Sequence, residues 1–245
     1  MSLNTTLNYS PNFDQKKRKI KQIKFIIFHY TGMKNEKEAI SRLTDFKSKV
    51  SSHYFIKKNG KVLTLVPELY TSWHAGISSW ANYKSINKYS IGIEISNPGH
   101  NYKYENFSRK QINSLLKLSK YLIKKYNINI QHILGHSDIA PFRKKDPGEK
   151  FPWKYLSKNK IGLWHNLNEK KLSKIRKNKV DKYDKNIFLK NLHKIGYSNN
   201  SYKYKKRNIK LLTIAFQRRF RQKLINGIID EECLRISENL AKNVK

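Results

Sequence analysis

Pro141 and Pro147 both fall in the run from Gly135 to Gly148 (GHSDIAPFRKKDPG). Each proline removes a backbone donor, so neither a long helix nor a central strand passes through this stretch. Irregular backbone carrying His136, Asp138, Lys144 and Asp146 is either a polar turn with solvated charges or a chemically active loop held over a rigid scaffold. The choice depends on whether the rest of the chain supplies partners for His136 and Asp146.

Short β-prone runs provide the scaffold. Ile23 to Phe28 (IKFIIF) is too short and too apolar for an exposed helix and reads as a buried strand that delivers His29 at its C-terminal end. A histidine there is a satisfied core residue or a functional one. Ser52 to Ile56 and Val62 to Val66 flank Asn59-Gly60, a hairpin-turn signal. Ser90 to Ser96 (SIGIEIS) alternates strictly, with Ile91, Ile93 and Ile95 on one face and Gly92 and Glu94 on the other. Glu94 is then either a buried acid with a raised pKa or an edge-strand acid facing water. A strand over Ile128 to Leu134 feeds directly into the 135–148 loop.

Helices are marked by their caps. Asn35 with Glu38, and Ser108 with Gln111, are capping-box patterns. They predict a short helix over 36–47 and a longer amphipathic one ending near Asn127. Between the strands, the loop Pro67 to Lys88 carries Trp73-His74-Ala75-Gly76 and Trp80; such aromatics form a binding surface or anchor the loop to the core. The fold expected from this order is a mixed α+β domain, a central mixed sheet flanked by helices, over 23–165. Residues 1–22 read as an irregular basic lead-in. The Lys-rich stretch 166–184 reads as a linker, and 185–241 as a small all-α module of three helices.

Composition limits the function classes. The 245 residues hold 52 basic and 17 acidic side chains, a net charge of +35, and the excess runs through both the first 170 residues and the remainder. Such a surface suits an acidic partner such as nucleic acid, anionic lipid or a cell-wall polymer. AT-rich coding, which favours Lys, Asn and Ile, produces the same excess without a partner. Cys233 is the single cysteine, so no intrachain disulfide forms. No apolar signal segment or membrane span is visible near the N-terminus, and the default expectation is a cytoplasmic location.

His29, His136 and Asp146 come from separate elements and form a donor set suited to a catalytic Zn²⁺ with one position left for water. The motifs around them, Ile27-Phe28-His29-Tyr30-Thr31-Gly32, Ser52-His53-Tyr54, Trp73-His74-Ala75-Gly76, Ile91-Gly92-Ile93-Glu94 and Gly135-His136 through Pro147-Gly148, follow a familiar order. Together they resemble the zinc-dependent N-acetylmuramoyl-L-alanine amidases, the amidase_2 family related to the T7 lysozyme and peptidoglycan recognition protein fold, with the AmiD and AmpD branches nearest. The resemblance covers about residues 20–165. Residues 185–240, with Ala215 to Phe220 and Asn226 to Asp230, resemble the three-helix peptidoglycan-binding domain.

The resemblance implies one Zn²⁺ held by His29, His136 and Asp146. It implies Glu94 as acid and base, Lys144 as support for the oxyanion, and His74 as a substrate-pocket residue. His53 is expected in a structural role or behind the metal ligands. The implied substrate is peptidoglycan or an (anhydro-)muropeptide. AmiD-like proteins usually carry an export signal and AmpD-like ones usually lack the wall-binding domain. This chain departs from both, so its expected compartment is divided between cytoplasm and cell envelope. Two other functions compete. One is non-catalytic peptidoglycan recognition, which a lost zinc ligand would favour, yet all three positions are filled. The other is nucleic-acid binding, for which charge is the sole motive.

Overall fold

Phe25, Ile26, Ile27 and Phe28 are all fully buried, so both faces of the strand they form are covered and its apolar run shows no alternation. This strand, β3 (Phe25–Tyr30), is an inner strand of the sheet in the computed structural model, which describes residues 5–197 and 206–244. Among these, a six-stranded sheet runs in the order β1 (Thr6–Leu7), β5 (Val62–Thr64), β4 (Tyr54–Ile56), β9 (Ser90–Ile95), β3, β10 (Ile133–Gly135). The β3, β9, β10 and β4 neighbours pair in parallel, and β4 and β5 form an antiparallel hairpin. Two small ribbons lie outside it, β2 (Phe13–Asp14) with β6 (Thr71–Ser72), and β7 (Ser79–Trp80) with β8 (Tyr83–Lys84). The protein is α+β, as the order of motifs implies.

Each sheet face has its own helical cover. Ile26 and Phe28 of β3 and Ile91, Ile93 and Ile95 of β9 pack with Leu115, Leu118 and Leu122 of α2 (Arg109–Tyr126). That helix starts at the Ser108–Gln111 capping box and stops at Asn127, in the left-handed region at φ 50°. The shorter α1 (Glu36–Thr44) begins where Asn35 accepts from the Glu38 amide. It ends three residues before the expected boundary, because Asp45 caps a separate 3-10 turn, Phe46–Ser48.

The opposite face, with Phe25 and Ile27, is covered by the C-terminal helices. There Phe188 and Leu192 of α6 (Lys182–Ile195), Phe216 and Phe220 of α7 (Lys206–Phe220) and Ile236 and Leu240 of α8 (Glu231–Asn243) join one core with Leu134 and Ile139. The expected three helices are therefore present, and they share a core with the sheet. Between these layers lie the short helices α3 (His136–Ile139), α4 (Trp153–Lys158) and α5 (Glu169–Ile175).

Three local expectations differ from the structure. Residues 1–22 are not irregular throughout: they supply β1 and β2, and Asn12 is fully buried with its amide donating to the Asp45 and Val50 carbonyls at 2.8 and 2.9 Å. Side-chain-to-backbone bonds of this kind leave no hydrophobic period to read. Residues 166–184 are not a bare linker. Asn168 caps α5, Leu172 is buried, and Arg176 pairs with Glu232 at 2.6 Å; the lysines occupy the wet side of a short helix. Finally, Ile130–His132 is a 3-10 turn capped by Asn129, so the strand before the loop is Ile133–Gly135 alone.

Candidate metal centre and active site

His29 and Glu94 are direct neighbours across β3 and β9, in register with each other. Because Ile91, Ile93 and Ile95 face α2, the period of two turns Glu94 to the other face, beside His29. β10 lies on the far side of β3 and ends at Gly135, so His136 opens α3 next to His29. The loop after α3 returns Asp146, and its carbonyl accepts from the Ser137 amide at 2.8 Å. Three buried donors therefore converge. His29 Nδ1 lies 2.9 Å from His136 Nδ1, and each is 3.0 Å from Asp146 Oδ2. Among the described residues, His29, His136 and Asp146 form the one group of three such donors that could hold a metal ion.

The outer hydrogen bonds determine which nitrogens face this centre. His136 Nε2 lies 3.1 Å from the Ala75 carbonyl, which can only accept, so Nε2 carries the proton. On the other side, the Ser90 hydroxyl donates to the Ile86 carbonyl at 2.7 Å and its oxygen accepts from His74 Nε2 at 3.0 Å. His74 Nδ1 is then the acceptor for His29 Nε2–H, at 2.9 Å. Both Nδ1 atoms are left with lone pairs pointing at a carboxylate oxygen. Three acceptors about 3 Å apart repel unless a cation lies among them, and donors on a tetrahedral Zn²⁺ are about 3.3 Å from one another. The donor set, the tautomers and the spacing all fit a divalent metal.

Electrostatics support the same arrangement. Burial, and then His136, lower His29 to about 4, so it is neutral and ready to ligate at neutral pH. Burial alone would raise Asp146, but the two imidazoles set against it, His136 first and then His29, hold it well below the ordinary carboxylate range. Glu94 behaves oppositely. Burial first, then Asp146, push its carboxyl well above the usual value, with Lys144 opposing. Its Oε2 is enclosed without a hydrogen-bond partner. An uncommitted carboxyl of raised pKa beside a metal-binding triad has the properties of a proton carrier.

The structure brings His29, His136, Asp146 and Glu94 to one place, with Lys144 within electrostatic reach of His29 and Glu94. His74, expected in the substrate pocket, is buried behind His29 with its ring over Gly92, and a Cβ at Gly92 would come within 2.5 Å of that ring. The absence of a side chain at Gly92 makes the room. His53 is fully buried, accepting from the Gly92 amide at 3.0 Å and bonding Ser72, Tyr70 and Arg18, a structural position.

Sequence reading assigned no part to Ser90, which anchors the His74 proton, or to Arg143, which donates to the Ile77 carbonyl at 2.7 Å and to that of Ala75. Both lie inside stretches singled out from sequence, but nothing in their spacing marks these particular contacts. Asp138, named above only as one of the loop's polar residues, accepts from the Gly135 amide at 2.7 Å within the same turn as His136.

The family model described as N-acetylmuramoyl-L-alanine amidase, Amidase_2, matches residues 19–149, a span that holds His29, Glu94, His136, Lys144 and Asp146. N-acetylmuramoyl-L-alanine amidase AmiD of Escherichia coli K12 is 35% identical over 231 residues, 89% of this chain and 82% of that protein. The 1,6-anhydro-N-acetylmuramyl-L-alanine amidase AmpD of Haemophilus influenzae is 31% identical over 167 residues, 60% of this chain and 88% of that protein. The solved complex of E. coli AmiD with anhydro-N-acetylmuramic acid-L-Ala-D-gamma-Glu-L-Lys matches with a TM-score of 0.81 at 33% identity, covering 94% of this chain and 93% of that one. The chain belongs to the N-acetylmuramoyl-L-alanine amidase family.

Proposed function

We propose that this protein hydrolyses the amide between N-acetylmuramic acid and L-alanine in peptidoglycan or (anhydro-)muropeptides, using one Zn²⁺ held by His29, His136 and Asp146. The observation that carries the reading is the unpartnered Glu94 carboxyl, of raised pKa, on the strand beside His29. When bound, the zinc supplies Lewis-acid polarisation of the carbonyl and makes a nearby water more acidic.

Glu94 takes a proton from the attacking water as the new carbon–oxygen bond forms. It then hands that proton to the alanine nitrogen as the carbon–nitrogen bond breaks, so the products are a lactyl carboxylic acid and a free amine. Lys144, two residues before the ligand Asp146, brings its ammonium to the carbonyl oxygen as negative charge grows there. His74 keeps the His29 proton on the outer nitrogen throughout.

The helices over 185–241 are proposed to hold wall material near this site, a reading supported by the resemblance of that segment to peptidoglycan-binding domains. Metal analysis of the purified protein, followed by mass spectrometry of intact and anhydro-muropeptides, tests the whole proposal. Release of free stem peptide, abolished by chelator and restored by Zn²⁺, is expected. Wall binding with no product from either substrate would refute it.

A further inference from the structure

Arg219 is among the largest fully buried side chains, at 2% exposure, and it belongs to α7 of the C-terminal helices. Within those helices its guanidinium meets the Phe220 ring, at 5.0 Å, and its polar contacts all lie outside them. Nη1 pairs with Asp138, Nη2 donates to the Ile133 carbonyl at 3.0 Å, and its plane lies 4.1 Å from the Trp153 ring centre. A second C-terminal residue, Tyr197, donates to the other Asp138 oxygen at 2.8 Å and packs its ring against Trp80. The adjoining Gly196 carbonyl accepts from the Ala81 amide at 2.6 Å, and a Cβ at Gly196 would lie 2.4 Å from the Trp80 ring.

Asp138 itself is 1% exposed and accepts from the Gly135 amide. It thereby closes the turn Gly135–Asp138 that contains His136. The chain of contacts runs from α7 through Arg219 and Asp138 to the backbone on both sides of a metal ligand. A buried carboxylate that loses its cation is left uncompensated and moves. That movement loosens the turn. Ligand orientation is sensitive to such outer contacts, whose removal costs about 10–100-fold in metal affinity.

We infer that the C-terminal helices are a working part of the metal centre, with Arg219 and Tyr197 as positioning residues that hold Asp138 and so the His136 turn in ligating geometry. This rests on the metal reading proposed above. It gives the helical segment a task beyond contact with the cell wall.

The experiment compares the full-length parent with Arg219→Met, Tyr197→Phe and Arg221→Met. Zinc affinity is read by chelator competition, kcat and KM at saturating zinc, and folding by thermal melting. Arg221 is the control, because its equally buried guanidinium pairs with Asp230 at 2.9 Å inside the C-terminal helices and does not reach the ligand turn.

Arg219→Met is expected to weaken zinc binding about 10–100-fold and to lower kcat more than it changes KM, with Arg219→Lys recovering part of the loss. Tyr197→Phe is expected to move the same readings in the same direction by a smaller factor. Arg221→Met is expected to lower the melting temperature and leave zinc affinity within about twofold of the parent. Unchanged zinc affinity in both Arg219→Met and Tyr197→Phe would overturn the inference, as would an equal loss in Arg221→Met. Should Arg219→Met fail to fold, Tyr197→Phe decides alone, since it removes a single hydroxyl. A parent that binds no zinc would instead refute the metal reading, independently of any difference among the variants.

Discussion

His29 Nε2 lies 2.9 Å from His74 Nδ1, and this contact behind the site selects the nitrogen that His29 presents in front. The line continues through Ser90 to the Ile86 carbonyl, a pure acceptor that sets the direction of every proton in the chain.

Replacing His74 with Phe keeps an aromatic ring, slightly larger, and removes the acceptor. Zinc affinity is expected to fall about 10–100-fold, because His29 is then free to place its proton on Nδ1. Competition against a fluorescent chelator measures this, and an affinity equal to the parent's would refute the relay.

Glu94 gives a prediction with opposite effects on activity and stability. Its carboxyl is raised in the folded, metal-free protein, by burial first and then by Asp146, whereas in the unfolded chain it titrates near about 4.3. Between those values the folded state holds the proton and the unfolded state does not, so stability falls as pH rises. Glu94→Gln removes that penalty. Activity is expected to drop about 10²–10⁴-fold, while the metal-free variant melts above the parent near pH 8 and alike near pH 4. Calorimetry in chelator checks the second part; identical melting at pH 8 would show that the buried carboxyl costs nothing.

Lys144→Ala is expected to lower kcat about 10²–10³-fold, equivalent to about 2.7–4 kcal/mol of transition-state stabilisation. Metal content should be unchanged, since Lys144 donates to no ligand. A variant with full kcat, or one that loses zinc, would remove Lys144 from the proposed role.

The buried imidazoles predict acid lability. Burial is the largest cause lowering His29, His53 and His74, with Arg18 adding to it at His53 and His29 at His74. Below about pH 6.5 the unfolded chain binds protons that these folded imidazoles refuse, so stability is lost as the pH falls. The melting temperature of the metal-free protein should therefore drop from pH 7 to pH 5 less steeply in His53→Gln than in the parent. Comparing the two slopes cancels the opposing contribution of Glu94. Parallel slopes would show that His53 does not titrate with unfolding.

The three residues that could hold a metal were readable from sequence because the demands on them are local. A histidine after an apolar strand, and a histidine and an aspartate around a proline-rich loop, carry their chemistry and their strand-end positions in the chain itself. The Ser108–Gln111 box, the Asn59-Gly60 turn and the alternation of Ser90–Ile95 were legible for the same reason: each is settled by hydrogen bonds or side-chain periods within a few residues.

What the linear pattern did not contain is the direction of long-range polar contacts. His74 sits in a loop whose neighbours suggest an exposed binding surface, and only the packing of its ring over Gly92 turns it toward His29. Arg219 lies on an amphipathic helix among other basic residues, and nothing in its spacing distinguishes it from a solvated charge. Its burial against Asp138 arises because α7 covers the sheet face that holds Phe25 and Ile27. The chemistry of the site was thus written in strand ends and loops, through interactions of short range. Its outer supports, and the union of the C-terminal helices with the metal-ligand turn, came from partners more than eighty residues away in the case of Arg219 and Asp138, which no local rule can bring together.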